Sequence, residues 1–167
     1  MKLSEEQCGY LINTAETKNQ WSRIRGGSKT SYKTVVLDLD DNSIIDLFST
    51  YCSKILNVQH IPFKVAIIRY DKGDLIQRHK DNGSNFGDAY NFTRDALYNI
   101  NIRLNSDYKG GEFYLSDQLF YRPVGEIYHY KSDTYHEVKM ITEGVRYLAL
   151  LTISYQDTLT NTSYSLI

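Results

Sequence analysis

Residues 63–81 read FKVAIIRYDKGDLIQRHKD. The first half is β-branched and aromatic, too short for a helix of the usual length, and it ends at the turn signal Lys72-Gly73. The second half, DLIQRHKD, reads as another short strand. Residues i and i+2 of a strand face the same side. His79 and Asp81 therefore project together, and Lys80 projects away.

The same texture continues downstream. ALYNINIRL (96–104), GEFYL (111–115), GEIYHY (125–130), HEVKMI (136–141) and RYLALLTISY (146–155) are short apolar or alternating runs. Gly110-Gly111, Val124-Gly125 and Glu143-Gly144 separate them. No helical pattern interrupts the series, so these strands, seven with the two in 63–81, predict an antiparallel sandwich or barrel. HEVKMITEGVRYLALLTI (136–153) reads as a hairpin turning at Glu143-Gly144, with Arg146 on the strand paired to that of His136. The stretch 82–96, NGSNFGDAYNFTRDA, is too polar for a strand. A loop of that length is more often functional than idle.

Upstream, Ser4 followed by glutamates and then Tyr10, Leu11 and Ile12 predicts a capped helix ending near Thr17. RIRGGSKTSYK (23–33) reads as a loop and TVVLDLD (34–40) as a strand. DNSIIDLFSTYCSKIL (41–56) predicts a second helix, with Ile44, Ile45, Leu47, Phe48, Tyr51 and Ile55 at helical spacing. Nothing in the chain looks like a linker or repeat. The expectation is a single domain over 1–167, with 1–60 as helical support and 61–156 as the β core.

Composition excludes several classes. Of 167 residues, 41% are hydrophobic, enough for one real core. Lys+Arg 19 against Asp+Glu 20 leaves no basic excess for nucleic acid. The apolar runs are too short to span a membrane, and the acidic start MKLSEEQCGY does not resemble a signal peptide. The expected setting is cytoplasmic, with Cys8 and Cys52 as reduced structural thiols and neither nucleic acid nor membrane as partner.

A histidine and a carboxylate on one strand face form two thirds of a two-histidine, one-carboxylate facial triad. That set binds non-haem Fe(II) and leaves coordination positions open. The chain has four histidines: His60, His79, His129 and His136. His60 lies in a loop before Pro62, and His129 sits between two tyrosines. His136 opens the apolar strand HEVKMI and is the best candidate for the third ligand. Arg146 lies in apolar company, and a buried guanidinium requires an anion. Its planar fork suits a carboxylate. A metal-chelating diacid would span the gap from metal to arginine.

The ordered set of His79-x-Asp81, the Leu-Asn and Gly-Gly-Glu of IRLNSDYKGGEFYL (102–115), His136-Glu-Val and Gly144-x-Arg146 resembles the Fe(II)/2-oxoglutarate-dependent dioxygenases. Within them it resembles the prolyl 4-hydroxylase-like branch. YDKGDLIQRHKD (70–81) is similar to that branch's metal-ligand strand. The resemblance covers about 63–155. It implies a double-stranded β-helix (jelly-roll) core behind N-terminal helices, with Fe(II) on His79, Asp81 and His136. It implies 2-oxoglutarate as co-substrate and O2 as oxidant, with ascorbate as a supporting reductant. The reaction implied is hydroxylation, with peptidyl proline the first substrate to test, coupled to decarboxylation of 2-oxoglutarate to succinate.

The co-substrate residues implied are Arg146, Tyr70, Asn101, Arg103 and Val138. Asn99, Asn101 and Arg103 share the polar face of an alternating strand. Phe86, Tyr90, Phe92 and Arg94, in the segment after Asp81, are candidates for contacting a peptide or protein substrate. The chain departs from the pattern at Ile76 and Arg103, where relatives often carry tyrosines, and at Arg146, where collagen-type members carry lysine. The alternatives are the same chemistry on another side chain, a free amino acid or a small metabolite; a non-catalytic jelly-roll binding module; and a zinc hydrolase.

Overall fold

The computed structural model describes residues 1–26, 29–59, 62–81 and 96–154. The first element is helix α1 (Glu5–Lys18). Ser4 caps it: the Ser4 hydroxyl accepts from the Gln7 backbone N–H at 3.1 Å, and the Gln7 side chain accepts from the Ser4 N–H at 2.8 Å. This reciprocal pair satisfies two N–H groups that the first turn leaves without partners. Next come β1 (Ser22–Gly26) and β2 (Thr30–Asp38), paired antiparallel from Ser22↔Thr34 to Gly26↔Thr30. Residues 23–33 are therefore largely strand and not the loop expected. Ile24 and the buried Tyr32 supply the packing that their polar neighbours conceal.

Asp41 caps α2 (Asn42–Tyr51), accepting from the Ser43 N–H at 2.8 Å. Ile44, Phe48 and Tyr51 form its buried face. The helix then loosens into a single π-type turn, Cys52–Leu56, closed by Asn57 with a positive φ of 55°. That change of pitch takes Ile55 off the buried face; it is 53% exposed, against the sequence expectation.

The remaining strands are β3 (Lys64–Tyr70), β4 (Ile76–His79), β5 (Ala96–Arg103), β6 (Lys109–Gly110), β7 (Phe113–Leu115), β8 (Gln118–Leu119), β9 (Ile127–Lys131), β10 (His136–Val138), β11 (Ile141–Glu143) and β12 (Arg146–Ser154). A six-stranded sheet runs β1-β2-β3-β12-β5-β9 and a four-stranded sheet β4-β10-β7-β8, with β11-β6 as a short third pair. Every pairing is antiparallel. Apart from the short pair β6 and β11 and the β7-β8 hairpin, the chain from β3 onward passes back and forth between the two larger sheets, which is the winding of a double-stranded β-helix.

The expected hairpin at Glu143-Gly144 does not form. HEVKMI splits into β10 and β11; β11 pairs with β6, and β12 pairs with β3 and β5. His136 and Arg146 consequently lie in different sheets.

Two apolar cores follow from strand alternation. Val65, Ile67, Ile100, Ile102, Ala149, Leu151 and Ile153 face the helices and pack with Leu11, Ile44 and Phe48. Burying each large aliphatic side chain contributes roughly 1.5–3 kcal/mol. Ile68, Tyr70 and Leu148, from the opposite strand faces, pack with Ile76 and Val138 in the second core. Residues 1–60 thus add two strands to the larger sheet as well as two helices behind it. No described helix is long and apolar enough to cross a membrane.

Candidate metal centre

The antiparallel register of β4 and β10 sets His79 directly opposite His136, with ring centroids 4.2 Å apart. Asp81 follows β4 by two residues, and its backbone N–H donates to the Ser132 carbonyl at 2.9 Å. Nε2 of His79 lies 3.3 Å from Asp81 Oδ1, and Nε2 of His136 lies 3.4 Å from Oδ2. One ligand atom from each of the three residues falls within 4.8 Å of the others.

The outer hydrogen bonds orient these atoms. His79 Nδ1 faces the Gln77 carbonyl at 2.8 Å, and His136 Nδ1 faces the Thr134 carbonyl at 3.0 Å. A carbonyl only accepts, so each Nδ1 carries a proton, and in the neutral imidazole each Nε2 then presents its lone pair toward Asp81. This is the arrangement by which proteins fix the tautomer of a metal-binding histidine. Burial pushes the His136 pKa below its ordinary value, outweighing the attraction of Asp81, and favours the neutral, ligating form. The Asp81 carboxylate is held in turn. Asn99, 1% exposed, donates its side-chain N–H to Asp81 Oδ2, and Thr152 Oγ1 donates to Asn99 Oδ1 at 3.2 Å.

The cluster opens into a cavity between the two sheets. Arg146, Tyr70, Asn101, Val138, Tyr128 and Tyr130 are among the residues lining it. Arg146 is 3% exposed, and its Nε and Nη1 are buried with no hydrogen-bond partner among the described residues. Its Cζ lies 5.0 Å from the Tyr70 ring centroid. Glu137, the acidic neighbour of His136, pairs with Lys139 at 2.8 Å. The cavity therefore has a two-histidine, one-carboxylate cluster and, on the facing sheet, a guanidinium without an acidic partner among the described residues. Burial raises the phenols on its wall: Tyr128 is pushed up to about 12, and Tyr70 and Tyr130 also rise, so all three are neutral donors.

Of the residues expected from sequence, His79, Asp81, His136, Arg146, Tyr70, Asn101 and Val138 share this cavity. Arg103 does not; it lines a neighbouring one, its Nε donating to the Asn105 carbonyl at 2.9 Å. Its strand face is the expected one. The space it lines also takes in Phe113, Tyr128 and Arg146 of the first cavity. Phe86, Tyr90, Phe92, Arg94 and His60 lie outside the described residues. His129 takes the other face of β9, its Nδ1 2.8 Å from the Tyr51 hydroxyl. Tyr128 and Tyr130, absent from the sequence candidates, were detectable as an i, i+2 pair on the face opposite His129. The Tyr130 ring packs at a tilt against His136, with centroids 4.8 Å apart.

No family model matches the chain. A PKHD-type hydroxylase of Picosynechococcus is 31% identical over 86 residues, 49% of this chain and 37% of the relative. The match thus spans little more than a third of that relative's length. Solved structures align over much more. The viral collagen prolyl hydroxylase of Paramecium bursaria Chlorella virus-1, solved as a 2OG complex, superposes with a TM-score of 0.68 at 19% identity, covering 91% of this chain and 90% of that one. The Trichoplax adhaerens prolyl hydroxylase, solved with a hypoxia inducible factor peptide fragment, gives 0.64 at 16% identity over 93% and 80%. With the alternating two-sheet winding and the His79–Asp81–His136 cluster between its sheets, this chain has the fold of the 2OG-Fe(II) oxygenases.

Proposed function

We propose that the chain is an Fe(II)- and 2-oxoglutarate-dependent hydroxylase acting on a peptidyl residue, with proline the leading candidate. One observation carries this reading. A buried guanidinium with two unpartnered N–H groups shares a cavity with two histidine lone pairs and a carboxylate. A lone buried cation costs several kcal/mol, so the cavity favours a ligand with an anionic end. A zinc hydrolase has no use for that arginine.

The donor set fits Fe(II): two neutral imidazole nitrogens and one carboxylate, from one side of a cavity. His79 Nε2, His136 Nε2 and Asp81 would hold the metal. Bound there with 2-oxoglutarate, Fe(II) supplies O2-dependent hydroxylation coupled to decarboxylation of 2-oxoglutarate to succinate. Arg146 receives the far carboxylate, oriented by the Tyr70 ring beneath it. Asn101 Nδ2, buried and unpartnered, supplies a further donor to the co-substrate. Ile68, Val138 and Leu148 form an apolar wall that excludes water.

The peptide reading is supported by the similar proteins, which include prolyl hydroxylases and one in complex with a peptide fragment. Phe86, Tyr90, Phe92 and Arg94 remain the substrate-contact candidates because their segment directly follows Asp81. A cytoplasmic setting suits Cys8 and Cys52, both buried thiols outside any disulfide.

Anaerobic addition of Fe(II) and 2-oxoglutarate should produce a charge-transfer band that His79→Ala abolishes. A band surviving that substitution would remove His79 from the site. Mass spectrometry on proline-containing peptides then tests the substrate. Turnover of 2-oxoglutarate without peptide oxidation would point to a free amino acid or small metabolite. No succinate with any substrate would point to a binding module.

A further inference from the structure

The pairing that sets His79 opposite His136 is short and irregular. Two residue pairs, His136↔His79 and Val138↔Ile76, define its register. Between them Gln77 and Arg78 of β4 stand against Glu137 alone on β10. A bulge of this kind interrupts the ladder of backbone hydrogen bonds. A slip of one residue there would turn His79 to the outer side of the sheet and take it from the cluster. Contacts on that outer side oppose such a slip.

Arg78 and Lys80 flank His79 in sequence, and Tyr135 precedes His136, so all three face away from the cavity. The Arg78 Cζ lies 3.8 Å from the Tyr135 ring centroid, and the Lys80 Nζ lies 4.6 Å from it. One ring at the start of β10 thus meets two cations, one on each side of the ligand His79 along the chain. Tyr135 is 42% exposed and belongs to neither apolar core, so core packing does not hold it.

Arg78 is anchored in turn. Its Nε and Nη2 donate to the two carboxylate oxygens of Asp117 at 2.6 and 2.9 Å, a bidentate pairing that fixes the guanidinium plane. Asp117 lies in the β7–β8 turn, where Ser116 and Asp117 have positive φ of 51° and 64°. The Ser116 N–H donates to the Tyr135 carbonyl at 2.8 Å. β7 pairs with the other edge of β10. Asp117, Arg78 and Tyr135 therefore tie β7, β4 and β10 together directly behind the two histidines. An exposed ion pair contributes little stability by itself. The place of this one is to hold a guanidinium over a ring.

We infer that Tyr135, Arg78 and Lys80 form an external clamp that positions His79 and His136 for the metal, keeping β4 and β10 in the register that their bulged ladder leaves weakly specified. None of the three lines the cavity, so they act as positioning residues and not as ligands. The inference rests on the reading of the His79–Asp81–His136 cluster as a metal centre.

The test is titration of the metal-free full chain with Co(II), followed through the visible bands that report ligand geometry. Each cation–ring contact at an exposed site is worth about two- to fivefold in an equilibrium constant. Tyr135→Leu keeps apolar bulk and removes the ring; it should weaken Co(II) binding about fivefold and shift the visible bands. Tyr135→Phe keeps the ring and should restore both affinity and spectrum. Added to Arg78→Gln and Lys80→Gln together, Tyr135→Leu should cause no further loss, because the contacts it removes are already gone. Circular dichroism confirms that each variant is folded. If Tyr135→Leu is not, Lys80→Gln is read in its place and should weaken Co(II) binding about two- to fivefold. Equal Co(II) affinity in the parent chain and the variant read, equal losses in Tyr135→Leu and Tyr135→Phe, or a loss undiminished without the two cations would each overturn the clamp and leave the metal centre standing. Failure of the parent chain to bind Co(II) would overturn the metal centre and the clamp with it.

Discussion

At the scale of single residues, Asn99 and Arg146 define what the cavity can hold. The Asn99 amide occupies a lone pair of Asp81 Oδ2, and Thr152 holds the amide in turn. Replacing Asn99 by leucine keeps the volume but removes the donor. Outer hydrogen bonds of this kind are worth about 10–100-fold in metal affinity. Asn99→Leu should therefore weaken Co(II) binding by about that factor, with a changed visible spectrum, while the chain remains folded. An unchanged Co(II) affinity would show that Asp81 needs no such support. Arg146→Gln tests the other end. Losing one partner of a buried charged pair costs about 2–5 kcal/mol, on the order of 30-fold or more in binding. The Kd for 2-oxoglutarate with Mn(II) present should rise accordingly, with Mn(II) affinity itself little changed.

The elements explain how these residues meet, and which parts of the sequence disclosed it. β6 and β11 approach so closely that a Cβ on Gly110 would lie 2.2 Å from the Met140 carbonyl oxygen. A Cβ on Gly111 would lie 2.4 Å from Ile141 Cδ1 and 3.2 Å from Arg146 Cδ. Both glycines have positive φ, 75° and 69°. Backbone strain of this kind costs of order 1–3 kcal/mol, so either alanine variant should lower Tm by several degrees in a thermal melt. Gly111→Ala should also weaken 2-oxoglutarate binding, because the added methyl presses on Arg146; Gly110→Ala meets only backbone and should not. The sequence marked Gly110-Gly111 as a turn but held no sign of its contact with Arg146, which arises from the pairing of β6 with β11. His79-x-Asp81 was legible because period-two alternation is local. The pairing at Glu143-Gly144 was not, since a turn signal says where a strand ends and not which strand it joins. β1 escaped notice for a related reason. Ile24 lies between two arginines, and its burial depends on packing across the sheets.

At the scale of the whole molecule, the larger sheet couples its two faces through adjacent residues. On β3, Tyr70 faces the cavity, while Arg69 faces α1. Arg69 donates to Glu16 at 2.9 and 3.0 Å and to Asp71 at 2.8 Å. On β12, Arg146 faces the cavity, and the neighbouring Tyr147 donates to Glu16 at 2.6 Å. Lys33 on β2 closes the network onto Asp71 at 2.7 Å. The helix thus grips the two strands that carry Tyr70 and Arg146, through groups that never enter the site. Glu16→Ala should lower Tm while leaving metal affinity unaltered. Asp71 gives this network a pH signature. Burial alone would raise its pKa, but the hydrogen bonds and charges of Lys33 and Arg69 outweigh that and hold it below its ordinary value. A carboxyl depressed on folding stabilises the fold above its unfolded pKa and loses that contribution as pH falls through the folded one. Asp71→Asn should therefore melt below the parent chain at neutral pH. The gap should narrow from about pH 5 downward and close once Asp71 is protonated in the parent chain as well. Melting curves of both proteins over that range decide it, since a gap constant down to the lowest pH would trace the stabilisation to neutral hydrogen bonding and not to the charge of Asp71.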